Sequence, residues 1–445
     1  MRSPHFTHTE AGTPATAWTR RLNQTALPSL SSEPGFEALD RLVVVAAHPD
    51  DETLGAGLIS ADLARRGWEV EFIVLTRGEN SHPHSPTTTP EQRAAQRSAE
   101  AALAAHILSP SIRLHPAAFA DGELDEQHEA IVATIVDVGG DGQRTLLLAP
   151  WRHDGHPDHE AAGRAASAAA VRTAAMLAEY PIWLWHWSDP DELPYASTRR
   201  WSVNGSVREQ KAAAIAAHRS QVAPLSPQPG DEVLLDAAFL EHFGGTDEHF
   251  IVEDPIDDAL DRLHADKDDP WGLDERWYER RKSDLLLACL PRERYDRALE
   301  VGCSRGSLSA RLSRRADRVL AVDASEHAVE LARRHVPSSV EVACLRVPDE
   351  WPEGQFDLIV VSEVGYFLSP AALERLWRAV GRALAPGGTV VLCHWRGDVR
   401  GWPLDGPRVH ASVEDSGGLP PVRARYLEDD VELLVLAHVW IAPDV

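Results

Sequence analysis

The feature that most constrains this chain is an alternation of buried-strand and helix patterns that runs twice and is broken once by an acidic stretch. From Leu42 the runs LVVVAA, LISADLARR and VEFIVLT follow one another. An Ala-rich amphipathic segment (91–106), the apolar run TLLLAP (145–150) and a second Ala-rich helix from Asp158 continue the pattern. Wholly apolar strands separated by helical periodicity indicate a sheet covered on both faces by crossover helices. After EDPIDDALDRLHADKDDP (253–270) the alternation resumes with RALEVG, RVLAVD, SVEVACL, FDLIVVS and TVVLCHW. A last pair, VRARYLE and VELLVLAHVWIA, leaves no room for a helix and is expected to form an antiparallel hairpin at one sheet edge. The expected class is α/β with two domains, as a length of 445 residues also favours.

Residues 1–40 are rich in Thr, Ser and Pro without sustained periodicity and read as an arm that is draped on the surface or disordered. The two domains are expected over 41–252 and 271–445, joined by the acidic, proline-closed segment 253–270, with the boundary near 265. Lys and Arg total 44 against 69 Asp and Glu, a net charge of −25, which repels phosphate backbones and anionic membrane surfaces. Nucleic acid is therefore not an expected partner. No apolar run approaches the roughly 20 residues of a membrane span, and MRSPHFTHTE lacks the apolar core of a secretory signal, so a cytoplasmic location is expected. Cys289, Cys303, Cys344 and Cys393 show no CxxC spacing and read as buried free thiols.

Chemistry gathers first in AHPDDETLGAG (47–57), which follows a buried strand and opens a helix, the place where α/β folds build sites. His48 and Asp51, three apart on a tight turn, can converge on a cation while Asp50 points elsewhere. HDGHPDHE (153–160) repeats the context after TLLLAP, and its His159 would complete a His-Asp-His set with an open position, as catalytic zinc sites have.

An HPDDE turn followed by HPDH resembles the PIG-L (LmbE-like) zinc de-N-acetylases, and both motifs are intact. The resemblance spans about residues 41–250 and extends to TRGE (76–79), Arg97 with Glu100, and HRSQ (218–221); Leu58 stands where the family usually has a glycine. It implies a Rossmann-like deacetylase domain in which His48, Asp51 and His159 hold zinc and Asp50 is the general base. It further implies that His156 stabilises or protonates the tetrahedral intermediate and that Asp158 orients His156 by a hydrogen bond. Arg97 and Asp121 are open to two readings, contact with a sugar hydroxyl or, more simply, a helix ion pair and a turn aspartate.

In the second half, LEVGCSRGSL (299–308) lies between a strand and a helix, and Asp323 closes the next strand 23 positions after Glu300, fitting ribose recognition. Glu-x-Gly-x-x-x-Gly resembles the first motif of class I S-adenosylmethionine (SAM) methyltransferases, with a seven-stranded Rossmann-like fold, and Ser304 occupies a position that is often glycine. FDLIVVSEVGYFL (356–368) resembles their fourth strand and active-site loop, and LAPGGTVVL (384–392) the turn into the fifth. From about 268 to 410, DPWGLDERWYERRK, SEVGYFL and CHWRGD resemble the nodulation-protein-S-like N-methyltransferases, associated with methylating the free amine of a deacetylated chitin-type oligosaccharide.

That resemblance implies that Glu300, Gly302, Ser304 and Gly306 frame SAM and that Asp323 binds its ribose. Tyr278 and Arg281 would cover its methionine end, helix packing being the other reading of Tyr278. Glu363, His394 and His410 are candidates for accepting the amine proton or aligning the acceptor. The combined expectation is a bifunctional enzyme that removes an N-acetyl group from an N-acetylglucosamine-type glycan or conjugate with zinc, then N-methylates the amine with SAM. Two alternatives stay open at this level: an oxygen or carboxyl methyl acceptor, and a SAM-sensing module without turnover.

Overall fold

The structure, a computed structural model, describes residues 12–415 and 418–438, so the end of the last expected strand, beyond 438, lies outside the described residues. The chain falls into two units that divide at Ile256 and Asp257.

In the first unit the apolar runs form strands β1 (Arg41–Ala46), β2 (Glu69–Val74), β3 (Arg113–Pro116), β4 (Thr145–Pro150), β5 (Met176–Tyr180), β6 (Thr198–Ser202) and β7 (Asp247–Ile251). Their order is β3-β2-β1-β4-β5-β7-β6; β7 runs antiparallel to both neighbours and the remaining pairings are parallel. β1 pairs on one side with β2 and on the other with β4, Val43 standing beside both Glu71 and Leu147. The chain's crossovers thus leave β1 in opposite directions, which opens a crevice at the carboxyl ends of β1 and β4. Alternate residues of β1 feed two cores, Leu42 and Val44 on one face and Val43 and Val45 on the other. That two-sided burial explains why the strand reads as an uninterrupted apolar run.

The second unit repeats the plan with β8 (Tyr295–Val301), β9 (Ala316–Asp323), β10 (Val340–Cys344), β11 (Phe356–Ser362), β12 (Leu384–Trp395), β13 (Val422–Leu427) and β14 (Val431–Ala437), in the order β10-β9-β8-β11-β12-β14-β13. β8 is flanked by β9 and β11, both parallel, so its carboxyl end is again the switch point. β14 lies antiparallel to β12 and β13, which places the hairpin at the sheet edge.

Three expectations need correction. Within residues 1–40, the described part is neither draped nor disordered: a helix over Ala15–Asn23 buries Trp18, and Leu30, Phe36 and Leu39 join the first core. Its elements are one short helix and two three-residue turns, too brief to show a period. The stretch 253–270 is not all connection, since Ala259–Asp266 is helical and belongs to the second unit. All four cysteines are free, but Cys344 ends β10 exposed and is not a buried thiol.

Candidate active sites

At the carboxyl end of β1 the chain turns directly into the helix Asp51–Arg65, and at the end of β4 it reaches the helix Pro157–Thr173 through the loop 151–156. Because the two strands are neighbours, these turns bring both histidine motifs together. Donor atoms of His48, Asp51 and His159 all lie within 4.8 Å of one another. His159 is fully buried, with Nε2 3.3 Å from Asp51 Oδ1 and without a hydrogen-bond partner among the described residues. Its other nitrogen, Nδ1, lies 2.8 Å from Asp154 Oδ2, and the Asp154 carboxylate is itself fixed by the amides of Ile182, Trp183 and Leu184. Donating from Nδ1 leaves a lone pair on Nε2 facing Asp51, the arrangement that metal-bound imidazoles need.

A second triad, His48, Asp121 and Asp158, shares His48. Its acids are already satisfied: Asp158 accepts from the amides of Gly122 and Leu124, and Asp121 from that of Asn80. His48 Nε2 lies 3.1 Å from both Asp121 Oδ1 and Asp158 Oδ2, so these carboxylates hold its N–H while Nδ1, 3.7 Å from Asp51 Oδ2, turns to the first triad. An unpartnered buried nitrogen, a second imidazole and a carboxylate fit a divalent cation such as zinc.

Asp50 is buried at φ 152°, a backbone conformation that side-chain-bearing residues rarely adopt. Arg97 holds it there, donating to Asp50 Oδ2 at 3.1 Å, to the Pro49 carbonyl and to the Gly78 carbonyl. Burial raises the Asp50 carboxyl to about 6 against the pull of Arg97. Burial likewise lifts Glu52, whose carboxylate accepts the Asp50 amide, to about 8. The TRGE turn has a physical reason, because a Cβ on Gly78 would stand 2.1 Å from the Arg97 guanidinium. HRSQ does too: Ser220 donates twice to Glu100, and His218 Nε2 lies 3.0 Å from Thr53 Oγ1 on the Asp51–Arg65 helix.

His156 sits at the amino end of the helix Pro157–Thr173, with its ring centroid 4.6 Å from that of His159 and 5.1 Å from that of His48. Asp158 and His156 are joined by a hydrogen bond through the backbone: the Asp158 amide donates to His156 Nδ1 at 3.2 Å, while the carboxylate lies 3.1 Å from His48 Nε2. A first-turn amide points outward along the helix axis, so His156 caps the helix, and burial pushes its pKa well below the usual imidazole value. Arg97, on its helix, is ion-paired with Asp50, and Asp121 lies in a turn with its carboxylate 3.1 Å from His48 Nε2. Asp154 was not singled out by sequence, although it stands inside HDGHPDHE, five residues before His159.

In the second unit the turn after β8 takes Gly302 to φ 77° and Gly306 to φ 84°, with Ser304 at φ 47° between them. A Cβ on Gly302 would approach Val364 Cβ to 2.9 Å, so glycine lets this turn close against the loop after β11. Asp323 accepts the amides of Ser304 at 2.8 Å and Ser325 at 3.0 Å, which ties the ends of β8 and β9. Glu300 is buried, bonded to Ser309 Oγ and raised by burial to about 8. Ser304 Oγ is buried without a partner among the described residues, and the glycine-opened turn beside Asp323 fits a nucleoside cofactor.

Glu363, directly after β11, adopts φ 56°. Its carboxylate accepts from the Trp395 amide and the Tyr366 hydroxyl and lies 3.3 Å from Lys282 Nζ, which also pairs with Glu279. His394 accepts the Gly365 amide on Nε2 and reaches His410 Nε2 from Nδ1 at 3.0 Å. With both nitrogens engaged and the ring fully buried, His394 shapes the Gly365 turn and is not free to take a substrate proton. His410 is equally buried, its Nδ1 3.7 Å from Glu432. Arg281 pairs with Glu428 and Tyr426, and Tyr278 donates to the Asp430 carbonyl, so both dock the helix Trp277–Ala288 on the terminal hairpin.

Comparison with known proteins follows the same division. The family described as GlcNAc-PI de-N-acetylase (PIG-L) matches residues 43–170, and a family described as methyltransferase domain matches 298–388. Nodulation protein S of Rhizobium tropici is 38% identical over 130 residues, 28% of this chain and 54% of that protein. The 1D-myo-inositol 2-acetamido-2-deoxy-alpha-D-glucopyranoside deacetylase of Rhodococcus erythropolis (strain PR4 / NBRC 100887) is 31% identical over 177 residues, 34% of this chain and 58% of that protein. The chain thus spans little more than half the length of either curated relative. The solved structure of N-methyltransferase NodS from Bradyrhizobium japonicum WM9 with S-adenosyl-L-homocysteine is 26% identical, with a TM-score of 0.37, and is matched over 96% of its length by 40% of this chain.

Proposed function

Because this chain joins a PIG-L-type de-N-acetylase domain to a methyltransferase domain, we propose that it removes the acetyl group from an amino sugar and methylates the amine so exposed. The observation that carries the reading is the pairing, in one chain, of a cation-fitting triad and a nucleoside-fitting glycine turn, each at the switch point of its own sheet. The first reaction creates a primary amine and the second needs one.

Zinc held by His48, Asp51 and His159 would polarise the amide carbonyl and acidify water. Asp50, buried and steadied by Arg97, takes the proton of the attacking water and returns it to the departing nitrogen, giving acetate and a free amine. His156 accepts a hydrogen bond on Nδ1 and is neutral, so its remaining N–H, on Nε2, stabilises the oxyanion. The amino-sugar class is supported by the name of the Rhodococcus relative, an acetamido-glucopyranoside deacetylase.

SAM, which Gly302, Ser304, Gly306 and Asp323 would hold, would supply the methyl group in the second unit and leave as S-adenosyl-L-homocysteine. Glu363, whose pKa burial raises against the pull of Lys282, would accept the proton of the acceptor amine. Similarity to nodulation protein S, and the resemblance to its N-methylating group, favour nitrogen as the acceptor.

Mass spectrometry of N-acetylglucosamine oligosaccharides and conjugates, incubated with zinc-loaded protein with and without SAM, tests the reading. Acetyl loss followed by SAM-dependent methyl gain on the same molecule is expected. Methyl gain on substrates whose amine is blocked would overturn N-methylation, and retention of every acetyl group would overturn the amino-sugar assignment.

A further inference from the structure

The helix that opens with Asp51 is gripped from outside at Leu54, Leu58 and Ile59. Leu54 is bonded through both of its backbone groups: its amide donates to the Asp50 carbonyl at 2.9 Å, and its carbonyl accepts Lys211 Nζ at 2.6 Å. One turn further on, the amides of Leu58 and Ile59 donate to the two oxygens of Glu248 at 2.7 and 2.9 Å. Lys211 and Glu248 are themselves paired at 2.7 Å. A regular helix bonds the Leu54 carbonyl to the Leu58 amide. Here an ammonium and a carboxylate stand beside that step, each bonded to one of its two groups.

Lys211 comes from the helix Gly205–Ala217 and Glu248 from β7, and both side chains are buried. The sequence of the gripped helix makes room for its neighbours. A Cβ on Gly57 would stand 3.1 Å from Lys211 Cγ, and one on Gly55 would stand 2.0 Å from the Tyr180 ring, whose hydroxyl donates to the Val45 carbonyl on β1. His218, at the end of the helix Gly205–Ala217, lies 3.0 Å from Thr53 Oγ1, so the first turn is held at Thr53 as well as at Leu54. A buried ion pair stabilises a fold no better than apolar residues of the same size, and its best-attested use is to fix one arrangement among several. The turn fixed here carries Asp51, 3.3 Å from His159 Nε2, and follows Asp50, which Arg97 holds at φ 152°.

Resting on the metal-dependent deacetylase reading, we propose that Lys211 and Glu248 are positioning residues of the first site: their ion pair sets the place of the first helical turn, which brings Asp51 to His159 and Asp50 to Arg97. Neither belongs to the donor triad, and both lie outside 43–170, the segment matched by the deacetylase family. The path between pair and site is short. Lys211 draws on the Leu54 carbonyl, and the Leu54 amide holds the Asp50 carbonyl. A strained residue keeps its conformation only while its surroundings enforce it, so release of the grip is felt at Asp50 and its neighbour first.

Zinc affinity by chelator competition, and acetyl release from N-acetylglucosamine oligosaccharides, test this on the full chain carrying Lys211→Met with Glu248→Met, which removes both charges and keeps the site filled. The double variant is expected to fold by circular dichroism, to bind zinc about tenfold more weakly or worse, and to lose kcat with KM within about twofold of the unaltered chain. The visible absorption bands of its cobalt-loaded form should shift, reporting a changed ligand geometry. Glu248→Gln keeps the size and one acceptor oxygen, frees one helix amide, and should weaken zinc binding in the same direction by less; it decides the matter if the double variant does not fold. Unchanged zinc affinity and kcat in a folded variant would make the pair a packing feature alone and overturn the proposal. Failure of the unaltered chain to bind zinc removes the metal reading, and this proposal with it. Zinc bound without acetyl release removes only the amino-sugar assignment and leaves the affinity and cobalt measurements to decide.

Discussion

Asp51 and His159, both buried, face each other at 3.3 Å, and Asp154 occupies the far nitrogen of His159. On the proposed ligand set, removing Asp51 or His159 should abolish cation binding, whereas Asp50 is held by Arg97 and lies outside the triad. Zinc content by atomic emission should fall from about one per chain to near zero in Asp51→Ala and His159→Ala. Asp50→Ala should keep its zinc and lose acetyl release by a factor of about 100 or more. A full zinc complement in Asp51→Ala would refute the ligand set. His48, Asp51 and His159 were legible because each lies in a short polar motif directly after an apolar strand. Asp154 was not, and Asp121 reads as a sugar contact or a turn residue and not as the partner of His48, because a carboxylate that acts through the second nitrogen of an imidazole leaves no spacing signature. Spacing places Asp158 beside His156 but cannot say that their hydrogen bond uses the Asp158 amide while the carboxylate reaches across to a loop residue from β1.

The elements that sequence reading recovered best are the apolar strands and the crossover helices between them, whose periods are set by burial on both faces. The elements it missed are short and owe their position to a few long-range contacts. The helix Ala15–Asn23 is the clearest case: Trp18 is buried, donates its indole N–H to the Trp185 carbonyl at 2.7 Å and meets the Trp185 ring edge-on at 4.8 Å. A nine-residue helix is not stable by itself, so this one exists because the core accepts its tryptophan. Trp18→Ala should destabilise the first unit by about 3–5 kcal/mol, the range for truncating a buried aromatic. Thermal unfolding of the variant would show it, and a transition within about 1 °C of the unaltered chain would mean that the helix is ornamental to the core. The helix Ala259–Asp266 was hidden differently, its acidic sequence resembling a solvated connection; its Asp261 pairs with Arg346, beyond β10.

Over the whole molecule, two sheets of the same plan place their chemistry at equivalent switch points, and each unit has its own pair of cores. On the proposed function, coupling comes from the substrate, since the amine freed at one site is what the other consumes. The net charge of −25 acts in the same direction, since a deacetylated sugar carries a positive amine that an acidic chain attracts. The amine must still lose its proton before it can attack a methyl group, and Glu363 in the second unit is placed to receive that ammonium. The two activities should therefore separate by mutation in both directions. His159→Ala should lose acetyl release yet methylate a glucosamine oligosaccharide supplied with its amine already free, at a rate within about twofold of the unaltered chain. Asp323→Ala should lose S-adenosyl-L-homocysteine binding and release acetate at the normal rate. Loss of both activities in either variant, with folding intact by circular dichroism, would mean that the two sites are energetically coupled and that the chain is more than two enzymes in series.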